Sequence, residues 1–264
     1  MSDEIKPGGR YVQGLARGLA VIRAFDGGQA EMTLADIARA CGLNRSAVRR
    51  SLLTLQTLGY VRGDGRRFSL TPKILDLGFG FLSSQGIGAR VQPLLRQVSA
   101  EIGETCALGM LDGTDMVCVA HAPGARRVLT VGMTVGSRMP LLATAIGRAY
   151  LAHVPEAERE RLLAAAPRLK HTPRTVTDPA GLRAAIASAR AQGYAVADEE
   201  FEPGVRALAV AVPGADGIAA AALGVLVASV FTPVTALVDA HLPALRRSVE
   251  RIADAMIVRY HDTE

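Results

Sequence analysis

Three arginines stand at helical spacing in the N-terminal part of the chain. Arg45, Arg49 and Arg50 belong to a segment without an acidic residue between Asn44 and Leu58. A solvated helix face usually carries charges of both signs, because opposite charges three or four residues apart stabilise a helix. Arginine can bond guanine edges or phosphates in the major groove of DNA. The segment therefore predicts a helix face that binds DNA; the alternative is a face that is merely soluble.

The apolar residues of the same segment indicate how this helix is oriented. At 100° per residue, Val48, Leu52 and Leu55 lie within about 60° of one another, so they face a core. Ser46 and Arg50 project almost opposite to them. The basic side of the helix is therefore expected to face outwards, where it can meet a partner.

The residues before the basic helix predict a helix, a tight turn and a second helix. Thr33 can cap a helix over 34–41, because its hydroxyl can accept a hydrogen bond from a first-turn amide. Gly42 suits the left-handed conformation that ends many helices. Asn44 can then cap the basic helix, which is predicted over 45–58. This is the layout of a helix-turn-helix.

A basic hairpin is predicted directly after the helix. Alternating residues at 60–62 and 67–70 flank a glycine-rich turn at 63–66. Arg66 and Arg67 lie at its tip, where contact with phosphates or the minor groove is expected; the alternative is a surface hairpin with incidental arginines. Together these elements predict a winged helix-turn-helix. The predicted DNA-contacting residues are Thr33, Asn44, Arg45, Ser46, Arg49, Arg50, Arg66 and Arg67.

The N-terminal part also carries the whole excess of positive charge. Residues 1–80 hold 12 Lys and Arg against 7 Asp and Glu, whereas residues 81–264 hold 18 of each. An anionic partner, either nucleic acid or a membrane surface, is expected for this part. A high-arginine proteome would explain why Arg outnumbers Lys by 27 to 3, but it does not explain where the net charge lies.

Several protein classes are excluded by what the sequence lacks. The longest apolar run, 218–231, has 14 residues, whereas about 20 are needed to cross a bilayer, and no apolar secretion segment follows Met1. Cys41, Cys106 and Cys118 have no CxxC spacing, which argues against a disulfide framework or a zinc ribbon. The histidines are scattered, and the usual hydrolase, ATPase, metalloprotease and dinucleotide-binding motifs are missing. We expect a cytoplasmic protein without cofactor, metal or catalytic activity.

Beyond the hairpin the pattern alternates between helix and strand periods. It predicts an α+β fold, in which helices cover a sheet. The predicted domains are a winged helix-turn-helix at 11–72, a linker helix at 73–89 and a second domain at 90–260. The predicted helices are 14–25, 34–41, 45–58, 74–84, 91–102, 143–153, 156–163, 178–192 and 234–259. The predicted strands of the second domain are 105–111, 116–121, 128–131, 194–198, 207–212 and 219–230.

One dense acidic cluster occupies the end of a predicted strand, with Asp198, Glu199, Glu200 and Glu202 close together. Paired carboxylates can act as general acid and base. Acids at a strand end more often form a solvated loop or a hydrogen-bonding rim. Since no other catalytic motif accompanies the cluster, we favour the rim over an active site.

These residues resemble those of the IclR family of bacterial transcription regulators, and the resemblance covers nearly the entire chain. The N-terminal part, from LARGLAVI at 15–22 to GYV at 59–61, is similar to that family's winged helix-turn-helix. The segments GSRMPLLATAIG at 136–147 and DEEFEPGVR at 198–206 are similar to the two that line the family's effector pocket, in a GAF-like fold. The resemblance implies a ligand-responsive, DNA-binding regulator.

A subgroup of the family is indicated as well. RGDGRRFSLTP at 62–72 and LPAL at 242–245 resemble regulators of aromatic-acid (protocatechuate, 4-hydroxybenzoate, β-ketoadipate) catabolism. The chain departs from the family at Leu142, where a polar or aromatic residue is frequent. It departs again at 224–226, where Gly-Val-Leu replaces the subgroup's Asn-Val-Ser. A serine could bond a carboxylate and Leu226 cannot, so either the acid group is held elsewhere or the effector is less polar.

The resemblance and the residues together predict a pocket with apolar walls and few polar groups. A helix predicted from Ala143 has N–H groups which, like the Thr144 side chain, are expected to be free to meet an anion. The acids at 198–200 are expected at the rim, where at least one of them accepts a hydrogen bond from an effector hydroxyl. The alternative is core packing for the leucines and a solvated loop for the acids. The predicted effector-contacting residues are Met139, Leu141, Leu142, Ala143, Thr144, Asp198, Glu199, Glu200, Val205, Leu208 and Leu226.

The leading hypothesis is a ligand-responsive transcriptional regulator of a catabolic operon, acting as a homodimer or a dimer of dimers. Its expected partners are double-stranded operator DNA, a small organic-acid or aromatic effector and a second copy of the chain, with no membrane. Two alternatives stay open. One is an architectural DNA-binding protein without an effector, and the other is a metabolic enzyme with an accessory basic domain.

Overall fold

The computed structural model describes residues 11–84, 86–125 and 133–256. The chain divides into two units after Phe81. This division lies inside the predicted linker, whose boundaries at 73 and 89 stay a prediction. The predicted strand at 128–131 and the last three residues of the predicted helix at 234–259 lie outside the described residues.

Short polar residues and one glycine define the helix ends of the N-terminal unit. The Thr33 hydroxyl accepts the backbone N–H of Asp36 at 3.3 Å, and the carboxylate of Asp36 accepts the backbone N–H of Thr33 at 3.3 Å. Gly42 is left-handed, with φ of 63°. Asn44 Oδ1 accepts the N–H of Ala47 at 2.8 Å. The three helices that result are α1 (Gln13–Arg23), α2 (Leu34–Cys41) and α3 (Arg45–Thr57).

A small core and a three-stranded sheet complete this unit. Val48, Leu52 and Leu55 of α3 are buried, as the helical spacing predicts. The strands are β1 (Met32–Thr33), β2 (Val61–Gly63) and β3 (Arg67–Leu70). All pairs are antiparallel in the order β1-β3-β2, so β2 and β3 form the predicted hairpin. Strand β1 is absent from the sequence-based prediction, because two residues are too few to show a strand period.

A helix without a buried side chain follows the hairpin. After a 3-10 turn at Pro72–Ile74, α4 (Leu75–Ser84) runs through a segment of alternating apolar and small residues. None of its residues is buried in the described structure. A helix with apolar residues on all sides is normally covered by other protein.

The second unit contains one antiparallel sheet of six strands, in the order β6-β5-β4-β9-β8-β7. The strands are β4 (Thr105–Asp112), β5 (Asp115–Ala122), β6 (Arg138–Pro140), β7 (Ala195–Asp198), β8 (Val205–Pro213) and β9 (Ala219–Ala228). A π-helical turn at Ile87–Val91 leads into the helices, which are α5 (Gln92–Ile102), α6 (Ala145–Ala152), α7 (Glu156–Ala165), α8 (Pro179–Gln192) and α9 (Val234–Met256). Strand β6, three residues long, is another element absent from the prediction.

Helices cover both faces of this sheet, which confirms the predicted α+β fold. One core cluster joins α5 and α9 to a first face, and it includes Leu95, Leu208 and Leu245. The other cluster joins α6, α7 and α8 to the opposite face, and it includes Ala209 and Leu162. In β8, alternate residues therefore belong to different cores, with Leu208 and Val210 in the first and Ala207 and Ala209 in the second. Within the described residues, no helix is long and apolar enough to cross a membrane.

Two strand glycines let α6 lie close to the sheet. A Cβ atom on Gly109 would come within 2.8 Å of Ile146 Cγ2, and one on Gly224 within 2.7 Å of Ile146 Cγ1. The Ile146 side chain therefore fills space that larger residues on β4 and β9 would take. The helix begins at Ala145 with Thr144 as its cap, so the predicted start at Ala143 is wrong by two residues.

Candidate functional site

The basic helix α3 presents its arginines to solvent. Arg45, Arg49 and Arg50 are exposed, while the opposite side of the helix is buried. None of the three forms an ion pair with another described residue. Free guanidinium groups on one helix face are available for phosphates or base edges.

The three shorter polar residues of the predicted DNA-binding set hold the helix ends. The Thr33 hydroxyl donates to a carboxylate oxygen of Asp36 at 2.6 Å. Asn44 Oδ1 accepts the hydroxyl of Ser46 at 2.8 Å, in addition to the Ala47 amide. These hydrogen bonds fix where α2 and α3 start. The structure thus gives Thr33, Asn44 and Ser46 a structural role, and their contact with DNA stays a prediction.

The tip of the hairpin is held by one aspartate. Asp64 Oδ1 accepts the backbone N–H groups of Arg67 and Arg66, each at 2.8 Å, and these bonds lower the pKa of Asp64. The side chains of Arg66 and Arg67 are exposed. Arg67 Nη1 is 3.9 Å from a carboxylate oxygen of Glu31, a loose and solvated contact. Both arginines are thus presented at the end of a firm turn.

A cavity of about 50 Å³ lies between α6 and the strands β8 and β9 of the second unit. Its walls are mostly apolar, which suits the body of a small organic molecule. Of the predicted effector-contacting residues, the following line it: Met139, Ala143, Thr144, Glu200, Val205 and Leu226. The sequence-based prediction missed these further lining residues: Met133, Ala145, Ile146, Ala197, Phe201, Glu202, Ala207 and Gly224.

Three predicted wall leucines lie elsewhere. Leu208 packs into the core under α5 and α9, on the face of the sheet away from the cavity. Its assignment to the pocket is wrong, since Val205 and Leu208 are three residues apart on one strand and so point to opposite faces. Leu141 and Leu142 are buried in the core under α6 without lining the cavity. These two residues therefore pack in the core, which is the alternative given for the leucines in the sequence analysis.

Thr144 lines the cavity, but its hydroxyl is engaged. It donates to the carbonyl oxygen of Pro140 at 2.8 Å and accepts the N–H of Gly147 at 3.2 Å. The prediction of a free Thr144 hydroxyl is therefore wrong. The backbone N–H groups of Ala145 and Ile146 belong to the first turn of α6, where no carbonyl of the helix can reach them. These amides, at the positive end of the helix dipole, are the better donors for an anion.

Glu200 is buried in an ion pair instead of lying at a solvated rim. Both of its carboxylate oxygens lie 2.5 Å from the terminal nitrogens of Arg148. The side chains are only 3% (Arg148) and 9% (Glu200) exposed. Arg148 Nε also donates to the carbonyl of Leu142 at 2.9 Å, and the N–H of Val176 donates to Glu200 at 3.0 Å. With this many partners, both charges are satisfied in the interior.

The neighbouring acids are engaged at the surface. Asp198 pairs with Arg206, and its second oxygen accepts from Arg174 at 2.7 Å. Glu199 lies 3.3 Å from Arg174 and accepts the N–H of Gly204 at 2.9 Å. Neither acid lines the cavity, so their placement does not support either of them as the acid that accepts an effector hydroxyl.

Metal ligation has no basis in the part of the chain that is described. No group of three or more His, Cys, Asp or Glu side chains there could hold an ion. Burial raises the pKa of the Cys106 thiol to about 12 and that of Cys118 to about 11. Thiols in this state are poor nucleophiles at neutral pH.

Both units match known family models. Residues 14–65 match the IclR helix-turn-helix domain, and residues 79–254 match the bacterial transcriptional regulator IclR C-terminal domain. The Pca regulon regulatory protein of Pseudomonas putida is 40% identical over 215 residues, which are 81% of this chain and 74% of that protein.

Solved structures agree with this match. A Rhodococcus sp. RHA1 protein described as a transcriptional regulator has a TM-score of 0.82 at 41% identity, covering 93% of this chain and 98% of its own. A double mutant of the PobR inducer-binding domain from Acinetobacter, solved with 3-hydroxybenzoic acid, has a TM-score of 0.57 at 26% identity. That comparison covers 63% of this chain and 96% of the domain. The chain belongs to the IclR family of bacterial transcriptional regulators.

Proposed function

We propose that the N-terminal unit binds operator DNA and that a small aromatic acid, bound in the cavity of the C-terminal unit, controls a catabolic operon. The observation that carries the proposal is the cavity: apolar side chains surround it, and Ala145 and Ile146 of the first turn of α6 line it. Sites for small molecules are typically apolar clefts in which a few polar groups orient the ligand.

The proposed DNA interface is the exposed side of α3 together with the hairpin tip. Arg45, Arg49 and Arg50 would bond base edges and phosphates, because they are exposed and without an acidic partner among the described residues. Arg66 and Arg67 would mainly contact phosphates, since both side chains are exposed at the tip of the hairpin that follows the helix.

The proposed effector carries one carboxylate on an aromatic body. Its carboxylate would meet the first-turn amides of Ala145 and Ile146, and its body would lie against Met139, Val205 and Leu226. The PobR domain, which was solved with an aromatic hydroxy acid, supports this class. This arrangement also explains how an acid can bind although Leu226 stands where the subgroup has a hydrogen-bonding serine.

We also propose that the protein acts in the cytoplasm as a homodimer or a dimer of dimers. Leu75 and Phe79 of α4 are 70% and 69% exposed, and Leu15 of α1 is 64% exposed. Exposed apolar surfaces of this kind mark protein interfaces. A second copy is the favoured occupant, because Leu15, Leu75 and Phe79 all belong to the N-terminal unit and helix-turn-helix dimers read two half-sites.

Two measurements on the full chain test the proposal. In a thermal-shift titration, 3- or 4-hydroxybenzoate is expected to raise Tm, because a ligand that binds the folded state stabilises it. In a gel shift with an operator recovered by in vitro selection, the same acid is expected to change DNA affinity. A gel shift that no acid alters would instead favour an architectural DNA-binding protein, and conversion of the acid to a product would favour an enzyme.

A further inference from the structure

Most side-chain polar groups around the cavity already have partners. The Glu200 carboxylate is shared by Arg148 and the Val176 amide, and the Thr144 hydroxyl both donates and accepts. A ligand could bond either group only by displacing an existing hydrogen bond. These two residues are therefore poor candidates for choosing between similar ligands.

Glu202 is the exception among the polar lining residues. It is half-buried and lines the cavity beside Phe201 and Val205. Its backbone carbonyl accepts the N–H of Val205 at 3.2 Å. Its carboxylate forms no hydrogen bond or ion pair with any residue in the described ranges.

The loop that carries Glu202 is held in place at several points. The Glu199 carboxylate accepts the Gly204 amide at 2.9 Å, and the Thr175 hydroxyl donates to the carbonyl of Glu200 at 2.6 Å. Ser229 donates its amide to the carbonyl of Gly204 at 2.8 Å. Because its neighbours are fixed, the loop holds Glu202 at the cavity wall in a pre-organised conformation, which reduces the cost of ligand binding.

A half-buried carboxylate has a definite chemical preference. It accepts hydrogen bonds and cannot donate one when ionised, so it is stabilised by a hydroxyl donor on the ligand. A second carboxylate placed beside it would be repelled, because like charges in a partly desolvated site disfavour each other. The neighbouring Glu200 does not add to this effect, since Arg148 neutralises it.

We propose that Glu202 is a specificity-determining residue that accepts a hydrogen bond from a hydroxyl group of the effector. The inference rests on the proposed function, because it concerns the same cavity, and it narrows the effector to aromatic monocarboxylates that carry a hydroxyl. The acid group of the ligand meets the first turn of α6, and the hydroxyl meets Glu202.

Calorimetric titration of the full chain with four probes tests the inference: 3-hydroxybenzoate, 4-hydroxybenzoate, benzoate and adipate. At least one hydroxybenzoate is expected to bind wild type about tenfold or more tightly than benzoate, because benzoate has no hydroxyl to form the charge-assisted hydrogen bond. Glu202→Leu is expected to reduce that ratio to about twofold or less, by weakening the hydroxybenzoate alone. Glu250→Gln, at an exposed position of α9, is the matched control and keeps the wild-type ratio.

The outcomes separate the inference from the proposed function. Equal affinity of wild type for the hydroxybenzoates and benzoate overturns the inference and leaves the proposed function standing. So does an unchanged ratio in Glu202→Leu. Tighter binding of adipate than of either hydroxybenzoate overturns the inference and also the proposed aromatic class of effector. Binding of none of the four acids contradicts the proposed aromatic-acid function itself, and the inference falls with it. Thermal unfolding of each variant shows whether it is folded, and Glu202→Gln replaces the leucine variant if that one is not.

Discussion

Arg148 and Glu200 join α6 to the loop after β7 by two hydrogen bonds of 2.5 Å in the interior of the C-terminal unit. The arginine also reaches the carbonyl of Leu142, just before the helix. One buried side chain therefore ties together the segment before α6, the helix itself and the loop that forms a wall of the cavity. Because the pair connects these segments, it holds the shape of the cavity. Both charges already have partners, so neither is free to bind a ligand.

Removing one partner of this pair is expected to destabilise the protein strongly. Glu200→Ala leaves the Arg148 charge buried without compensation, which costs about 3–5 kcal/mol of unfolding free energy in comparable cases. Urea denaturation followed by circular dichroism measures the change. Glu160→Ala, which breaks the exposed pair with Arg183, is the matched control and is expected to change stability far less. Equal effects of the two substitutions would contradict the role of the buried pair.

Replacing two arginines of α3 is expected to abolish specific DNA binding. In Arg49→Ala/Arg50→Ala, the absence of each arginine–base hydrogen-bonding pair costs about 1–3 kcal/mol of binding free energy. The fold is expected to persist, because both side chains are exposed. Fluorescence anisotropy with a selected operator measures the affinity, and Arg190→Ala on α8 is the control. Unchanged operator affinity in the double variant would exclude this face as the reading surface.

The hairpin arginines are expected to act on all DNA sequences alike. Arg66→Ala/Arg67→Ala should weaken binding to operator and to unrelated DNA, because interactions with phosphates carry no sequence information. The slope of log affinity against log salt should fall by roughly 0.9 for each phosphate that the variant no longer neutralises. A titration from low to high salt measures this slope. If the variant no longer distinguishes the base at one operator position, and the slope of log affinity against log salt is unchanged, the arginines read bases instead.

Filling the cavity is expected to separate ligand response from DNA binding. Ala207→Leu adds three carbon atoms at a lining position of β8, and it should prevent ligand binding while operator affinity without ligand is preserved. The thermal shift caused by a hydroxybenzoate and the gel shift are the two readouts. Ala187→Leu adds the same atoms at an exposed position of α8 and should change neither. A normal ligand response in Ala207→Leu would place the effector elsewhere.

The buried cysteines are expected to resist thiol reagents. Since burial raises the pKa of Cys106 to about 12 and of Cys118 to about 11, both are thiols, not thiolates, at pH 8. Native protein treated with iodoacetamide at pH 8 should leave both unmodified, whereas protein unfolded in urea should react at all three cysteines. Peptide mass spectrometry identifies the modified residues. Modification of Cys106 or Cys118 in the native protein would contradict their burial.

The same pKa shifts predict how stability depends on high pH. The folded-state values lie above the ordinary value of 9.0, so the unfolded chain loses its thiol protons first. This contribution leaves stability unchanged below pH 9 and lowers it as pH rises from 9 towards the folded-state values. Replacing both residues by alanine in one variant should flatten that part of the stability profile. An equally steep fall in the variant would assign it to other groups.

Local signals explain which parts of the fold were predictable. Thr33, Gly42 and Asn44 act on backbone groups within four residues of themselves, and all three have the predicted conformations. The outward face of α3 follows from the spacing of its buried residues in the same way. Sequence periodicity also located β7, β8 and β9 to within two residues of their observed ends, because strands of four or more residues show their period.

The winged helix-turn-helix, the exposed basic face and the α+β class could thus be read from the amino-acid order, since each depends on residues close together in the chain. Only the folded chain shows that Glu200 lies against Arg148, 52 residues away, and that Leu208 belongs to the other core. The same holds for Glu202, which lines the cavity without a partner among the described residues, unlike its acidic neighbours. No local pattern could show this, because the state of a carboxylate depends on which arginines the fold brings beside it.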